Sequence, residues 1–406
     1  MITDPEALEK RRQQRKQKNK SAKKQRLILL GAGVLVAVLV VTGILFWIFG
    51  SSGKGADRGP HPDDTVIHLA AAGDLVVSDR VVDMATGDYD YTQAFLDVGY
   101  LLGKADISVL NFEGNLVGSP YGSKYASAPQ SLMDALDNAG VDLIQLANSY
   151  SIYNGMSGLR ATIDGVRAAG MEPLGVYADA KSFEKSGGYT LCQVEDIRIA
   201  FVAFTKGMDG TTLPAGSENC VNLLYTDYDS DYQVVDTRRI ETILSNVKQE
   251  KPDLTVALVH WGSEFNATLS VSQQQSCRLM QENGVDAIIG THSHYVQAMS
   301  LEDGKFLAWS LGDFLSDPTK AGSEYSVVLD LEITKSVNTG KTQITGYSYT
   351  PIFRADNGKT LELLRIQEAM AAFEGSYIQK ISQADYDAMQ YALKRIEARI
   401  NEKPKS

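Results

Sequence analysis

The stretch 27–50 is 24 residues long and carries no charge. A helix rises about 1.5 Å per residue, so about 20 apolar residues cross a hydrocarbon core of about 30 Å. The sequence therefore predicts a transmembrane helix over 27–50. Trp47 and Phe49 fall at its far end, where aromatic rings favour the interface. Residues 1–26 carry ten Lys or Arg and three acids. A basic block of this kind stays cytoplasmic and sends the following chain outward. A cleaved signal peptide has a shorter apolar region, about 7–15 residues, followed by a small-residue cleavage site. Ile48, Phe49, Gly50 and Ser51 offer no such site. The reading is an uncleaved single-pass anchor, with a cytoplasmic N-terminus and an extracytoplasmic C-terminal domain.

The charge changes sign across that anchor. Of 39 bases and 50 acids, the first 26 residues hold ten and three, which leaves 29 bases against 47 acids and a formal net charge of −18. A domain so acidic has no electrostatic reason to bind nucleic acid. An anionic ligand would need a local cationic device, and a bound metal supplies one. Cys192, Cys220 and Cys277 show no metal-ligand spacing. They are compatible with one Cys192–Cys220 bridge or with buried free thiols. Residues 51–64 are rich in Gly, Ser, Pro and Asp and read as a linker. Residues 65–406 follow without a low-complexity break and read as one large domain.

Within it, short apolar runs alternate with helical patterns. Strands are predicted over 66–72, 107–111, 141–147, 171–176, 197–204, 254–259 and 285–289. Helices are predicted over 91–104, 129–139, 156–169, 235–249 and 271–282. Beyond residue 305 the pattern turns to β, over 306–310, 326–332 and 342–349, before an amphipathic helix over 383–401. Continuous apolar strands with intervening helices imply a sheet covered on both faces.

The chemistry falls where the strands end. Asp74, Glu113, Asn148 and His260 each follow a different predicted strand, and His292 and His294 follow a fifth. In open α/β sheets, ligands bind outside the carboxyl ends of the strands. Imidazoles with carboxylates suit Zn, Mn or Fe. His292 and His294 are two apart across a turn, so both can face one ion. A lone strand-end His is more often a core residue; the ordered combination is what points to a divalent metal site of one or two ions.

GDLVV, NFEG, LANSYSIYNG, VALVHWGSEF, GVDAIIGTHSHYVQ and WSLGDF occur in an order that resembles the poly-γ-glutamate capsule synthesis (CapA) family. The resemblance implies an α/β, calcineurin-like metallophosphoesterase fold of stacked mixed sheets flanked by helices. It implies Asp74, Glu113, His260, His292 and His294 as metal ligands. It also implies an extracytoplasmic role in making, exporting or anchoring poly-γ-glutamate, beside other membrane-bound capsule synthesis proteins.

One motif departs from the family pattern. The family reads L-A-N-N-H-x-x-D-x-G where this chain has Ser149, Tyr150 and Tyr153 in place of the second Asn, the His and the Asp. In related phosphoesterases that Asn-His pair supplies a metal ligand and a proton donor. Asn148, Tyr150 and His260 are the candidate catalytic residues, and a phenol with a pKa of about 10 is a weak proton shuttle near neutrality. Two functions follow, a metal-dependent hydrolase of phosphoester or amide bonds and a non-catalytic envelope protein holding an anionic polymer.

Overall fold

The computed structural model describes residues 61–317, 320–356, 361–375 and 381–402. The predicted basic tail and anchor, and most of the linker, lie outside them. Among the described residues no helix is long and apolar enough to cross a membrane. Residues 61–64 make a turn, and Asp64 accepts from the Val337 backbone N–H at 2.8 Å.

The fold is mixed α/β with two stacked sheets. In the eight-stranded sheet, β1 (Thr65–Val76) is the hub. It pairs in parallel with β2 (Ile107–Glu113) and with the short β11 (Asp313–Leu315), and antiparallel with β12 (Tyr325–Lys335). Outward on one side come β3 (Leu143–Gln145) and β4 (Glu172–Leu174), both parallel. On the other come β13 (Thr342–Asp356) and β14 (Leu361–Arg365), both antiparallel. The six-stranded sheet runs β5 (Thr190–Val194), β6 (Ile197–Thr205), β7 (Leu254–His260), β8 (Ala287–Thr291), β10 (Lys305–Ala308) and β9 (Met299–Glu302). Its four central strands are parallel.

Strand β6 shows why the apolar runs are continuous. Side chains alternate between faces along a strand. Ile199, Phe201 and Ala203 join the main core with residues of β1 and β2. Ala200, Val202 and Phe204 join a second core against Ile240, Ile243, Leu244 and Val247 of α6 (Thr237–Glu250). Each of the larger side chains, Val, Leu, Ile or Phe, contributes about 1.5–3 kcal/mol when fully buried. Helices α3 (Gln130–Ala139) and α4 (Gly155–Ala169) likewise bury one stripe each, including Leu132, Leu136, Leu159 and Ile163.

The structure differs from the sequence reading at several points. The helix predicted over 91–104 is helical only at α2 (Gly99–Gly103). Its apolar period is real, since Ala94, Phe95, Val98, Leu101 and Leu102 are all buried. Upstream, however, the chain winds through bonds such as Ala94 N–H to Tyr91 carbonyl, three residues back. Strand β3 is shorter than predicted. The strands β5, β9, β11 and β14, and the short helices α1 (Asp79–Asp83), α5 (Ala180–Ser186) and α8 (Ile366–Glu374), were not foreseen. The helix α7 (Val271–Glu282) and the final helix α9 (Gln383–Ile400) lie where the pattern placed them. Cys192, Cys220 and Cys277 are buried and form no disulfide.

Candidate metal centre

The eight-stranded sheet delivers the acids. Gly73 lies where β11 crosses β1, and a Cβ there would sit 1.8 Å from the Gly312 carbonyl oxygen. Glycine is thus required, and Asp74 N–H donates to that carbonyl at 3.0 Å. The pairing register shifts at Asp74, as at a bulge, re-aiming its side chain. Asn111 and Glu113 are two apart on β2 and share a face. The Asn111 amide donates to Asp74 Oδ1 at 2.6 Å and to Glu113 Oε1 at 3.1 Å. Asn148 braces it from behind, donating to Asn111 Oδ1 at 3.0 Å and to the Phe112 carbonyl at 2.7 Å. The Asn148 amide oxygen accepts from Tyr150 N–H at 3.0 Å. Asp313 is held by the Ser316 hydroxyl at 2.5 Å and sits 4.0 Å from the buried Arg354 guanidinium. Arg354 also donates to the carbonyls of Asp313 and Ser323.

The six-stranded sheet delivers the imidazoles. His260 ends β7, with Nδ1 at 3.1 Å from Thr291 Oγ1 and 3.8 Å from Glu113 Oε1. Its Nε2 lies 3.3 Å from Ser149 Oγ. His292 and His294 leave β8 with φ of +89° and +59°. A non-glycine residue at positive φ is strained, typically by about 1–3 kcal/mol, and such strain clusters at functional sites. His292 N–H donates to Asp74 Oδ2 at 2.9 Å, which joins the two sheets. The His292 ring is 4.5 Å from that of His260 and 6.2 Å from that of His294. His294 Nδ1 is 2.7 Å from Asp313 Oδ1, and its Nε2 is 3.9 Å from Glu264.

Charge states follow from burial and neighbours. Burial, reinforced by Asp313, pushes the Asp74 pKa up to about 6, against His294, Asn111 and the His292 N–H. Burial and then Asp74 hold Glu113 well above the usual carboxylate range. Burial keeps His260 and His292 neutral, with Lys206 and neighbouring imidazoles adding to the effect. Burial disfavours the charged form of His294 as well, but Asp313 with Glu264 and Glu113 outweighs it and raises the pKa to about 12.

Two overlapping donor sets result. Asp74, Glu113 and His260 offer ligand atoms within 4.8 Å of one another, and so do Asp74, His294 and Asp313. Neither ring nitrogen of the buried His292 has a hydrogen-bond partner. Unpaired buried polar atoms are costly, and a metal ion is the partner that neutral imidazole suits best. The donor chemistry fits divalent metal. Asn148 and Tyr150 stand beside these sets rather than in them. The amide of Asn148 is consumed in bracing, and Tyr150 is half-buried with its ring 5.7 Å from that of Tyr153. Sequence reasoning missed Asp313, although its motif was in view, and Asn111, which looked like one more strand residue.

Fold and donor sets together define a stacked-sheet α/β protein with a candidate metal centre at its strand ends. The chain belongs to the family described as bacterial capsule synthesis protein PGA_cap, whose match covers residues 68–318, more than half of it. It is 21% identical over 320 residues to the PGA biosynthesis protein CapA of Bacillus subtilis (strain 168), covering 77% of this chain and 79% of that one. It is 22% identical over 264 residues to the capsule biosynthesis protein CapA of Bacillus anthracis, covering 63% of this chain and 61% of that one. Among solved structures, the calcineurin-like phosphoesterase YfkN from Bacillus subtilis is similar at 14% identity with a TM-score of 0.46, covering 81% of this chain and 99% of the other. That likeness is too loose to bear on function.

Proposed function

We propose that this chain is a membrane-anchored, extracytoplasmic component of poly-γ-glutamate capsule synthesis, export or anchoring, and that its cleft holds the anionic polymer through divalent metal. The observation that carries the reading is His292, whose two buried ring nitrogens have no partner beside His260 and the acids. Asp74, Glu113, His260 and His292 would hold one ion, and Asp74, His294 and Asp313 a second, with Mn, Zn or Fe suited to both sets. When bound, such ions supply positive charge and lower the pKa of coordinated water. Membership of a capsule synthesis family and the predicted anchor support the polymer and the outward orientation. Other membrane-bound capsule proteins are the expected partners.

The chain's own residues favour holding over cleaving. Hydrolysis at neutral pH needs a proton for the leaving group, and general acid catalysis is typically worth about 10²–10⁴-fold. Tyr150 stands where the family pattern has His. Burial, and then Glu113, Asp209 and Glu264, push its phenol above the ordinary tyrosine range. It keeps its proton at neutral pH. Ser149, at the second Asn position, shares its hydroxyl between His260 Nε2, at 3.3 Å, and the Asp209 carboxylate. Asn148 orients Asn111 and, through it, two acids.

The test combines elemental analysis of the purified chain with hydrolysis of an activated aryl phosphodiester and a γ-glutamyl amide. Stoichiometric Mn, Zn or Fe with negligible turnover is expected, and turnover should rise in the Ser149→Asn, Tyr150→His, Tyr153→Asp variant. Absence of any bound divalent metal after loading sinks the metal reading. Efficient wild-type turnover sinks the holding reading in favour of a hydrolase. A reporter fused after Ser406 that works only in the cytoplasm overturns the orientation.

A further inference from the structure

Lys206 follows β6 directly, and its backbone N–H donates to the His260 carbonyl at 2.8 Å. The residue is thereby fixed beside a candidate metal ligand. Its side chain is half-buried, with Nζ 3.4 Å from the Gly262 carbonyl and 4.7 Å from the centre of the Tyr232 ring. Among the described residues no carboxylate lies within 4.0 Å of it. An ammonium has three donors and no acceptor. One long bond and one aromatic face leave most of that capacity unused. Charged groups withdrawn from water are ordinarily paired. Burial lowers the Lys206 pKa, while Asp209, Glu264 and Glu113 favour its charged form from a distance.

The surroundings make that cation conspicuous. Asp74, Glu113, Asp209, Glu264 and Asp313 crowd this end of the molecule, in a domain of net charge −18. An anionic chain entering here is repelled unless fixed cations meet it. Glu264 lies in the field of both Lys206 and Lys320, and Lys320 caps the Phe265 ring at 4.5 Å, next to His294. Lys320 is exposed to solvent, whereas Lys206 is half-buried and its charge is felt by His260 and His292.

We propose that Lys206 is a substrate-binding residue that takes a free carboxylate of the polymer in the cleft, so that the site selects γ-linked chains bearing carboxylates over neutral ones. This rests on the polymer-holding reading and gives it a selectivity determinant. Charge-assisted hydrogen bonds are the stronger kind, and a compact ammonium suits a single carboxylate presented end-on.

The experiment measures binding of γ-linked glutamate oligomers, γ-linked isoglutamine oligomers, whose α-carboxylates are replaced by neutral α-carboxamides, and short polyphosphate to the metal-loaded full-length chain. Wild type, Lys206→Met and Lys206→Arg are compared, with metal content and thermal melting as controls. Lys206→Met should weaken glutamate-oligomer binding about ten- to a hundredfold. It should leave binding of the isoglutamine oligomer, metal content and melting unchanged, and Lys206→Arg should retain most of the affinity. Equal losses for both peptides, no loss for either, or an equal loss for polyphosphate overturns the assignment of Lys206 while the polymer reading stands. Failure of the metal-loaded wild type to bind either peptide overturns both.

Discussion

Asp74, Glu113 and Asp313 reach the site from one sheet and His260, His292 and His294 from the other, and protein partners are shared unequally between them. Every acid is met by a donor: Asn111 for Asp74 and Glu113, Ser316 for Asp313 with Arg354 close behind. On the imidazole side His260 has Thr291 and Ser149, yet His292 has no ring partner at all. His294 is paired with Asp313, so of these six side chains His292 is the one left without a protein partner and the point where a ligand would complete the site. The partnered acids and His292 should therefore respond oppositely to mutation and to metal.

The largest expected effect is on the acid half. Arg354→Met removes a buried guanidinium that faces Asp313, and stripping one partner from a buried charge pair typically costs about 3–5 kcal/mol. Denaturant unfolding of the metal-free chain measures it, and a loss below about 1 kcal/mol would break the comparison. Metal comes next. Zn or Mn at a free concentration a hundred times its Kd should stabilise the fold by about 2.7 kcal/mol, reversed by a chelator. An unchanged unfolding midpoint would mean the imidazole half has no such ligand.

Asn148→Ala should cost about 1–3 kcal/mol without metal, because Asn111 loses its brace and a buried carbonyl its donor. Wild-type stability in that variant would show that the bracing is incidental. The smallest effect should be His292→Leu. Two unpaired nitrogens are replaced by apolar volume at the same backbone angle, so metal-free stability should change by less than about 1 kcal/mol. The same variant should lose most of the stabilisation by metal. A large metal-free loss would mean His292 already has a structural role.

Much of this was legible because strands buried on both faces write themselves as unbroken apolar runs, and β6, β7 and β8 did so. The strand-end position of Asp74, Glu113, His260, His292 and His294 then follows from the α/β alternation. Asp313 was harder. It sits in a three-residue strand that pairs with β1, far away in sequence, so no local period marks it. Asn111 hides for another reason: a polar residue in an apolar strand announces itself as functional only once its four partners, Asp74, Glu113, His260 and Asn148, are known. The segment 91–104 misled because burial set its period while the hydrogen bonds took tighter turns. Lys206 carried no motif; its meaning comes from the acids that other strands bring around it.

The hydrogen bond from His292 to Asp74 spans 218 positions of sequence. Contacts so distant must be closed against the entropy of a long loop, and folds rich in them assemble slowly. During synthesis β1 emerges early and waits for β11 and β12, with one edge open to wrong pairing. A chain interrupted before Asp313 can present its first acids but never the finished cleft. Whatever ligand needs both halves thus discriminates complete molecules from partial ones, and its occupancy reports that folding has reached the end.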